Sequence, residues 1–184
     1  MNKSIIVLIG VVAILAIWGF SGYNGLVTLN ENADAQWAKV ETQYQRRFDL
    51  IPNLVNSVKA ILTQEQTVFG DIADARTRYA GATTPDEKAA AASQVEGALG
   101  RLLVIVENYP QLESSSNVRD LMAQLEGTEN RVSVERTRFN DEIRAYNTTV
   151  KRFPKNMLAR LFGFGERSYF EAANGAENAP QVNF

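Results

Sequence analysis

Apolar side chains recur at steps of three and four residues through most of this chain, and this spacing constrains the fold more than any other feature. Such a repeat places the side chains on one buried face of an α-helix. The first stripe comprises Leu26, Leu29, Ala33, Trp37, Val40, Tyr44, Ile51, Leu54, Val58, Ile61, Val68, Ile72, Ala75 and Tyr79. The last comprises Val118, Leu121, Leu125, Thr128, Val132, Phe139, Ile143, Tyr146, Val150 and Phe153. Since no segment alternates as a strand does, the sequence predicts an all-α, antiparallel up-and-down helical bundle.

Glycine and proline divide these stripes into helices. The segment Gly81 to Pro85 predicts a stop, with Thr84 as the N-cap and Pro85 at the first position of the next helix. That helix buries Val95, Leu99, Leu102 or Leu103, and Val106. Residues 108–116 predict a turn, and Pro154 predicts the end of the last helix.

Pro52 leaves the number of helices open. If Asp49 caps a new helix after a tight turn at Phe48, the bundle has four helices. If the helix continues, the bundle has three long helices with a kink at Pro52. The stripe keeps its phase across Pro52, which favours continuity, but closing a bundle around these segments favours four, and we adopt four.

The uncharged apolar run from Ile5 to Phe20 predicts an N-terminal transmembrane helix. From Ser4 to Tyr23 a helix rising ~1.5 Å per residue covers about 30 Å, the thickness of a hydrocarbon core. Trp18 and Tyr23 lie where interfacial aromatic residues are found. A cleaved signal peptide is the alternative, but the run exceeds the usual ~7–15 residues and lacks an Ala-x-Ala site.

The charges flanking this run indicate an orientation. Lys3 precedes it, whereas Glu31 and Asp34 come before Lys39, the first cation beyond it. Positive-inside logic therefore places the N-terminus in the cytoplasm of a bacterial cell. The helical domain is then expected on the periplasmic or extracellular side of the inner membrane.

The chain contains neither cysteine nor histidine. The absence of both residue types excludes thiolate metal sites, cysteine nucleophiles and Ser-His triads. It also excludes nearly all zinc, haem and di-iron sites of helical bundles. A net charge of -2 gives no reason to expect a nucleic-acid partner. We expect no catalytic, cofactor-binding or metal-binding residues and no cofactor.

Three charged residues fall in the inward register of the stripes: Arg47, Glu135 and Glu142. Because buried charges require partners, we predict a structural polar network that fixes helix register. A polar pocket and side chains that reach solvent from a boundary position are the alternatives.

A basic amphipathic segment follows Val150. The residues we predict to contact a membrane are Lys151, Arg152, Lys155, Leu158, Arg160, Leu161, Phe162 and Phe164. A short helix of this pattern can lie on an anionic bilayer. In a four-helix up-and-down bundle the last helix returns towards the anchor, which would bring this segment to the membrane. The alternative is that its apolar face packs on the end of the bundle.

Several motifs occur in an order that resembles the LemA family of bacterial membrane proteins. They are Tyr23-Asn24-Gly25-Leu26-Val27, Trp37, Arg46-Arg47-Phe48-Asp49-Leu50-Ile51-Pro52-Asn53-Leu54-Val55, Tyr109-Pro110, Leu125-Glu126-Gly127-Thr128-Glu129-Asn130-Arg131, Arg138-Phe139-Asn140, Tyr146-Asn147, Phe153-Pro154 and Phe162-Gly163-Phe164. The family often has tyrosine at the position of Phe139. The resemblance implies one transmembrane helix and an up-and-down helical bundle, and it implies no catalytic activity.

We therefore expect an anchor at 1–23, a helical bundle at 24–164 and a mostly disordered tail at 165–184. The function predicted is a non-catalytic, self-associating scaffold or adaptor of the cell envelope. It would bind the membrane, further copies of itself or another envelope protein, and anionic lipid. A protein that senses or shapes the bilayer through the basic segment is the alternative, and a carboxylate-based hydrolase is a third.

Overall fold

The computed structural model describes residues 3–62 and 66–170, and this part of the chain contains helices and no β-strand. The helices are α1 (Lys3–Lys59), α2 (Gln66–Gly81), α3 (Pro85–Asn108), α4 (Pro110–Glu113), α5 (Ser116–Lys151) and α6 (Lys155–Phe162). The predicted all-α bundle is confirmed. Residues 171–184 of the predicted tail lie outside the described residues.

Helix α1 continues through Pro52, so the predicted turn after Phe48 and the predicted new helix at Asp49 are wrong. Proline removes one backbone hydrogen bond and costs about 3 kcal/mol inside a helix. Ile51 and Leu54, on either side of it, are almost fully buried, and burial stabilises each by about 1.5–3 kcal/mol. Packing therefore outweighs the local cost. The helix also continues across residue 23, where we expected the anchor to end.

The first break comes after Lys59 instead. Ile61, predicted on the buried stripe, is exposed because it lies beyond the end of α1. Four long helices result (α1, α2, α3 and α5), as predicted, but the break between the first two is 11 residues later than Phe48. Sequence periodicity missed this break because the stripe keeps its phase on both sides of it.

Helix α3 begins as the sequence predicted. Thr84 is its N-cap: its hydroxyl accepts a hydrogen bond from the Glu87 backbone N–H, and the Glu87 carboxylate accepts from the Thr84 N–H. Pro85 occupies the first turn. This reciprocal capping satisfies two backbone donors that the helix itself leaves unpaired.

The chain divides into two compact units. The anchor unit comprises residues 3–38 and Thr137–Tyr169. The four-helix unit comprises Lys39–Arg136 and Phe170. Helices α1 and α5 contribute residues to both.

Side-chain pairs fix the helix directions within the four-helix unit. They are Glu41–Lys88 and Arg47–Glu96 between α1 and α3, Asp71–Arg101 and Arg78–Gln94 between α2 and α3, and Arg47–Glu129 and Tyr44–Arg136 between α1 and α5. Between α1 and α3, the residue numbers of both partners increase from one pair to the next. In the other two sets, the number of one partner increases while that of the other decreases. Helix α1 is therefore parallel to α3 and antiparallel to α5, and α2 is antiparallel to α3, which is up-and-down topology.

The anchor unit is held together by apolar contacts between α1, α5 and α6. Trp37 packs on Phe139 with ring centroids 5.2 Å apart, so Trp37 belongs to the internal core. Phe153, predicted as the last buried residue of its stripe, is 75% exposed instead. Helix α5 ends at Lys151, so Phe153 leaves the helical register that would bury it.

Candidate functional site

Helix α6 is a short segment with well-defined ends. It follows Pro154 and ends at Gly163, whose φ of 77° lies in the left-handed region that glycine adopts without strain. The Phe164 N–H donates to the Ala159 carbonyl over 2.8 Å and closes the turn. This C-cap directs Phe164 back towards α1.

One face of α6 packs inside the anchor unit. Leu158 and Ala159 are buried in a cluster with Leu26, Tyr146 and Val150. The predicted membrane-contact residue Leu158 therefore lies in the interior. Phe164 is half-buried against the same cluster.

Several large apolar side chains in and just before α6 remain exposed. Phe153, Met157 and Leu161 follow one another at steps of four and are 75%, 61% and 74% exposed, and Phe162 is 52% exposed. We call these four residues the apolar ridge. Helix α6 thus packs with one face inside the anchor unit, while Met157 and Leu161 remain exposed.

Aromatic contacts join α6 to the end of the apolar run of α1. The Tyr23 ring lies 4.9 Å from that of Phe162 and 5.8 Å from that of Phe164, both edge-on. The apolar run of α1 is almost entirely exposed. The helix is long and apolar enough to cross a membrane. The ridge therefore lies beside the end of the candidate span.

The four predicted basic residues lie close in sequence to the ridge. Lys151, Arg152, Lys155 and Arg160 are all exposed. Lys151 pairs with Glu166 over 2.8 Å, and this carboxylate raises the pKa of the Lys151 ammonium. The segment thus combines exposed apolar and cationic side chains.

A polar clamp fixes the chain after α6, and sequence reasoning missed it. Buried Asn147 donates from Nδ2 to the Arg167 carbonyl over 2.8 Å and accepts from the Arg167 N–H over 2.9 Å. The Arg167 guanidinium donates to Asn30 Oδ1 at 3.1 Å and pairs with Asp34 at 2.6 Å. The one available signal was the Tyr146-Asn147 motif of the family resemblance.

A second polar arrangement lies within the four-helix unit. Arg47, only 7% exposed, pairs with Glu96 and Glu129. Arg136 also pairs with Glu96 and donates from Nε to the Tyr44 hydroxyl over 2.9 Å. We call these five residues the charge network. It joins α1, α3 and α5 through alternating cations and anions.

Burial controls the titration of this network. It raises the pKa of Glu96 above its ordinary value, against the opposing effect of Arg136. Burial also raises the pKa of the Tyr44 hydroxyl, again against the opposing effect of Arg136. Burial also raises the pKa of neighbouring Tyr79 to about 12, with a contribution from Glu41.

The predicted network contained Arg47 but not its partners. Glu135 and Glu142 are half-buried, whereas the carboxylates on Arg47 are Glu96 and Glu129. Glu129 lies three residues before Val132 and Arg136 lies four after it, so both flank the buried stripe. That spacing was the usable signal. Across the described ranges 3–62 and 66–170, no group of three or more acidic residues is placed to hold a metal ion.

Fold and site together define a membrane-associated helical protein with an N-terminal apolar helix. The chain belongs to the LemA family, whose sequence profile matches residues 36–184. Two relatives are the magnetosome proteins MamQ 2 and MamQ 1 of Paramagnetospirillum magneticum, each 28% identical over 192 residues, which cover 88% of this chain and 71% of the relative. The magnetosome protein MamQ of Magnetospirillum gryphiswaldense is 29% identical over 174 residues, which cover 80% of this chain and 64% of that relative.

Proposed function

We propose that this protein is a non-catalytic scaffold or adaptor of the bacterial cell envelope that contacts the bilayer twice, through α1 and through α6. The observation that carries the proposal is the apolar ridge beside the end of the apolar run. An exposed apolar surface rimmed by polar residues marks an interaction site. A bilayer is the partner that such a surface meets next to a span.

The energetics favour a bilayer contact. Burying one large apolar side chain contributes about 1.5–3 kcal/mol. Inserting part of the apolar ridge into the bilayer therefore contributes several kcal/mol. Each lysine or arginine near an anionic surface adds about 1 kcal/mol. The internal contacts of Leu158 hold α6 in place beforehand, so little conformational entropy is lost on binding.

The polar features support a scaffold rather than a reaction. The charge network pairs its buried charges with one another, and such pairs specify packing and helix register. A helical bundle tied to the membrane at two points would keep a bound protein near the bilayer. We further propose that α1 spans the inner membrane and that the bundle lies in the periplasm. The single Lys3 before the span supports this orientation.

Site-specific labelling tests the membrane contact, because the chain has no cysteine of its own. Met157→Cys carries a fluorophore on the apolar ridge, and Asp141→Cys carries it on an exposed position of α5 as the matched control. In liposomes with brominated lipids, residue 157 should be quenched strongly and residue 141 weakly. Equal quenching at the two positions would refute the contact.

Self-association is a second candidate, supported by the exposed face of α3. Leu103 and Val104 are exposed there, and Gly97 and Gly100 have no neighbour within 4 Å of an added Cβ. Mass photometry of the full chain in mild detergent should show a discrete oligomer that Val104→Glu dissociates and Gln124→Glu, on α5, does not. If the wild-type protein is a monomer, self-association is refuted and the adaptor role remains.

A further inference from the structure

An apolar groove of about 320 Å³ lies between the last turns of the apolar run of α1 and helix α6. Ala16, Gly19 and Phe20 line it from α1, and Leu161 and Phe162 line it from α6. Its surface offers no polar atom. The groove therefore has nothing with which to bind a polar ligand, and an apolar chain is the group that suits it.

The depth of the groove indicates what fills it. Its α1 side belongs to the run that is long and apolar enough to cross a membrane. A groove at this level meets hydrocarbon, and an empty one would lose van der Waals contacts along its whole lining. At Gly19 no heavy atom lies within 4 Å of an added Cβ, so the space there is open to an acyl chain.

A cation lies just beyond the end of the predicted span. The Lys155 Nζ is 3.8 Å from the position a Cβ would take at Gly25. Gly25 follows Gly19 by six residues, about 9 Å along a helix. The polar layer of a bilayer begins just beyond the hydrocarbon core and is several ångströms deep, so the ammonium is placed for a phosphate.

We propose that this groove binds one acyl chain of an anionic phospholipid while Lys155 holds its phosphate. Helix α6 is then a lipid-selective site in addition to a general bilayer contact. The inference rests on the proposed membrane contact, because the groove meets lipid only if α6 lies at the bilayer.

The experiment measures phospholipid retained by the full-length protein. The protein is reconstituted in equal parts of phosphatidylglycerol and phosphatidylcholine, extracted in mild detergent and examined by native mass spectrometry. Wild type should retain one lipid, mostly phosphatidylglycerol. Gly19→Leu fills the groove, and Gly10→Leu is the matched control, since that glycine also has open space but lies outside the groove. We expect at least a five-fold loss with the first and none with the second.

The headgroup is tested separately. Lys155→Gln should reduce the preference for phosphatidylglycerol by about five-fold, as the loss of one cation near an anionic headgroup implies. Arg144→Gln removes an exposed cation of α5 and should leave the preference unchanged.

Two results would overturn the inference. Equal retention by wild type and Gly19→Leu would refute the groove, and retention without a headgroup preference would refute the anionic ligand. The label at residue 157 distinguishes these from failure of the membrane contact itself. If 157 is quenched in Gly19→Leu but lipid retention is unchanged, the membrane contact stands and only the lipid site fails.

Discussion

The anchor unit exposes large apolar side chains, whereas the four-helix unit buries charged ones. In the anchor unit, Phe153, Met157 and Leu161 are left exposed. In the four-helix unit, Arg47 is buried and Glu96, Glu129 and Arg136 neutralise one another around it. Water is a poor solvent for the first set and the protein interior is a poor solvent for the second.

This difference indicates which unit depends on surroundings outside the chain. The charge network supplies its own partners, so the four-helix unit should have the same stability in detergent and in lipid. Phe153, Met157 and Leu161 of the apolar ridge remain exposed on the described residues of the anchor unit, so that unit should gain stability from a bilayer. Four measurements test this difference between the two units.

The largest effect is expected from Glu96→Ala, which removes the carboxylate shared by Arg47 and Arg136. Breaking a buried ion pair costs about 3–5 kcal/mol, and since Glu96 is 25% exposed we expect about 3 kcal/mol. Chemical denaturation in detergent measures the loss in the free energy of unfolding. Glu107→Ala, an exposed change on the same helix, should stay within about 0.5 kcal/mol. Equal losses for the two variants would show that the network contributes nothing.

High pH should also destabilise the four-helix unit. Burial raises the pKa of Tyr79 from 10.0 to about 12 in the folded state, so the unfolded chain loses its proton first. Stability is complete below pH 10 and falls as the pH rises towards 12. At about 1.4 kcal/mol per pH unit, reduced for partial exposure of the ring, the loss from Tyr79 is about 2 kcal/mol. Burial raises the pKa of Tyr44 as well, so Tyr44 adds to the loss. Denaturation at several pH values tests the prediction. Tyr79→Phe should make the fall in stability less steep, and an unchanged slope would contradict the assignment.

An intermediate effect is expected from Gly22→Ala, which acts on the anchor unit. A methyl group at Gly22 would overlap the buried Leu158 side chain. Because one leucine can change rotamer, overpacking should cost about 1 kcal/mol. Faster hydrogen exchange in α6 would reveal it, whereas Gly10→Ala, with open space, should leave α6 unchanged. Identical exchange in both variants would show that α6 does not depend on this close approach.

The smallest effect is expected from Arg144→Gln, which breaks the exposed pair of Arg144 with Asp141 at 3.0 Å. Exposed ion pairs contribute about 0–1 kcal/mol, and helix pairs about 0.3–0.5. Thermal unfolding should therefore hardly change. A loss as large as that of Glu96→Ala would mean that burial does not separate the two kinds of ion pair.

Prediction from sequence succeeded where the signal was local. Thr84 and Pro85 predicted the start of α3 because capping involves neighbouring residues. It failed at Pro52, because local propensity favours a break there and only burial of Ile51 and Leu54 keeps α1 intact. For the candidate site, it found the basic and apolar composition of the segment after Val150. It could not show which side chains pack inwards, since that depends on contacts with α1.

Helical structure, the N-terminal apolar run and the resemblance to the LemA family can all be recognised in the amino-acid sequence. Periodicity, capping and hydropathy are properties of adjacent residues, so no folding is needed to see them. In contrast, helix packing alone brings Glu96 and Glu129 to Arg47 and buries Leu158 while leaving Leu161 exposed. Those outcomes depend on residues far apart in the chain, whose pairing is fixed when the helices pack side by side.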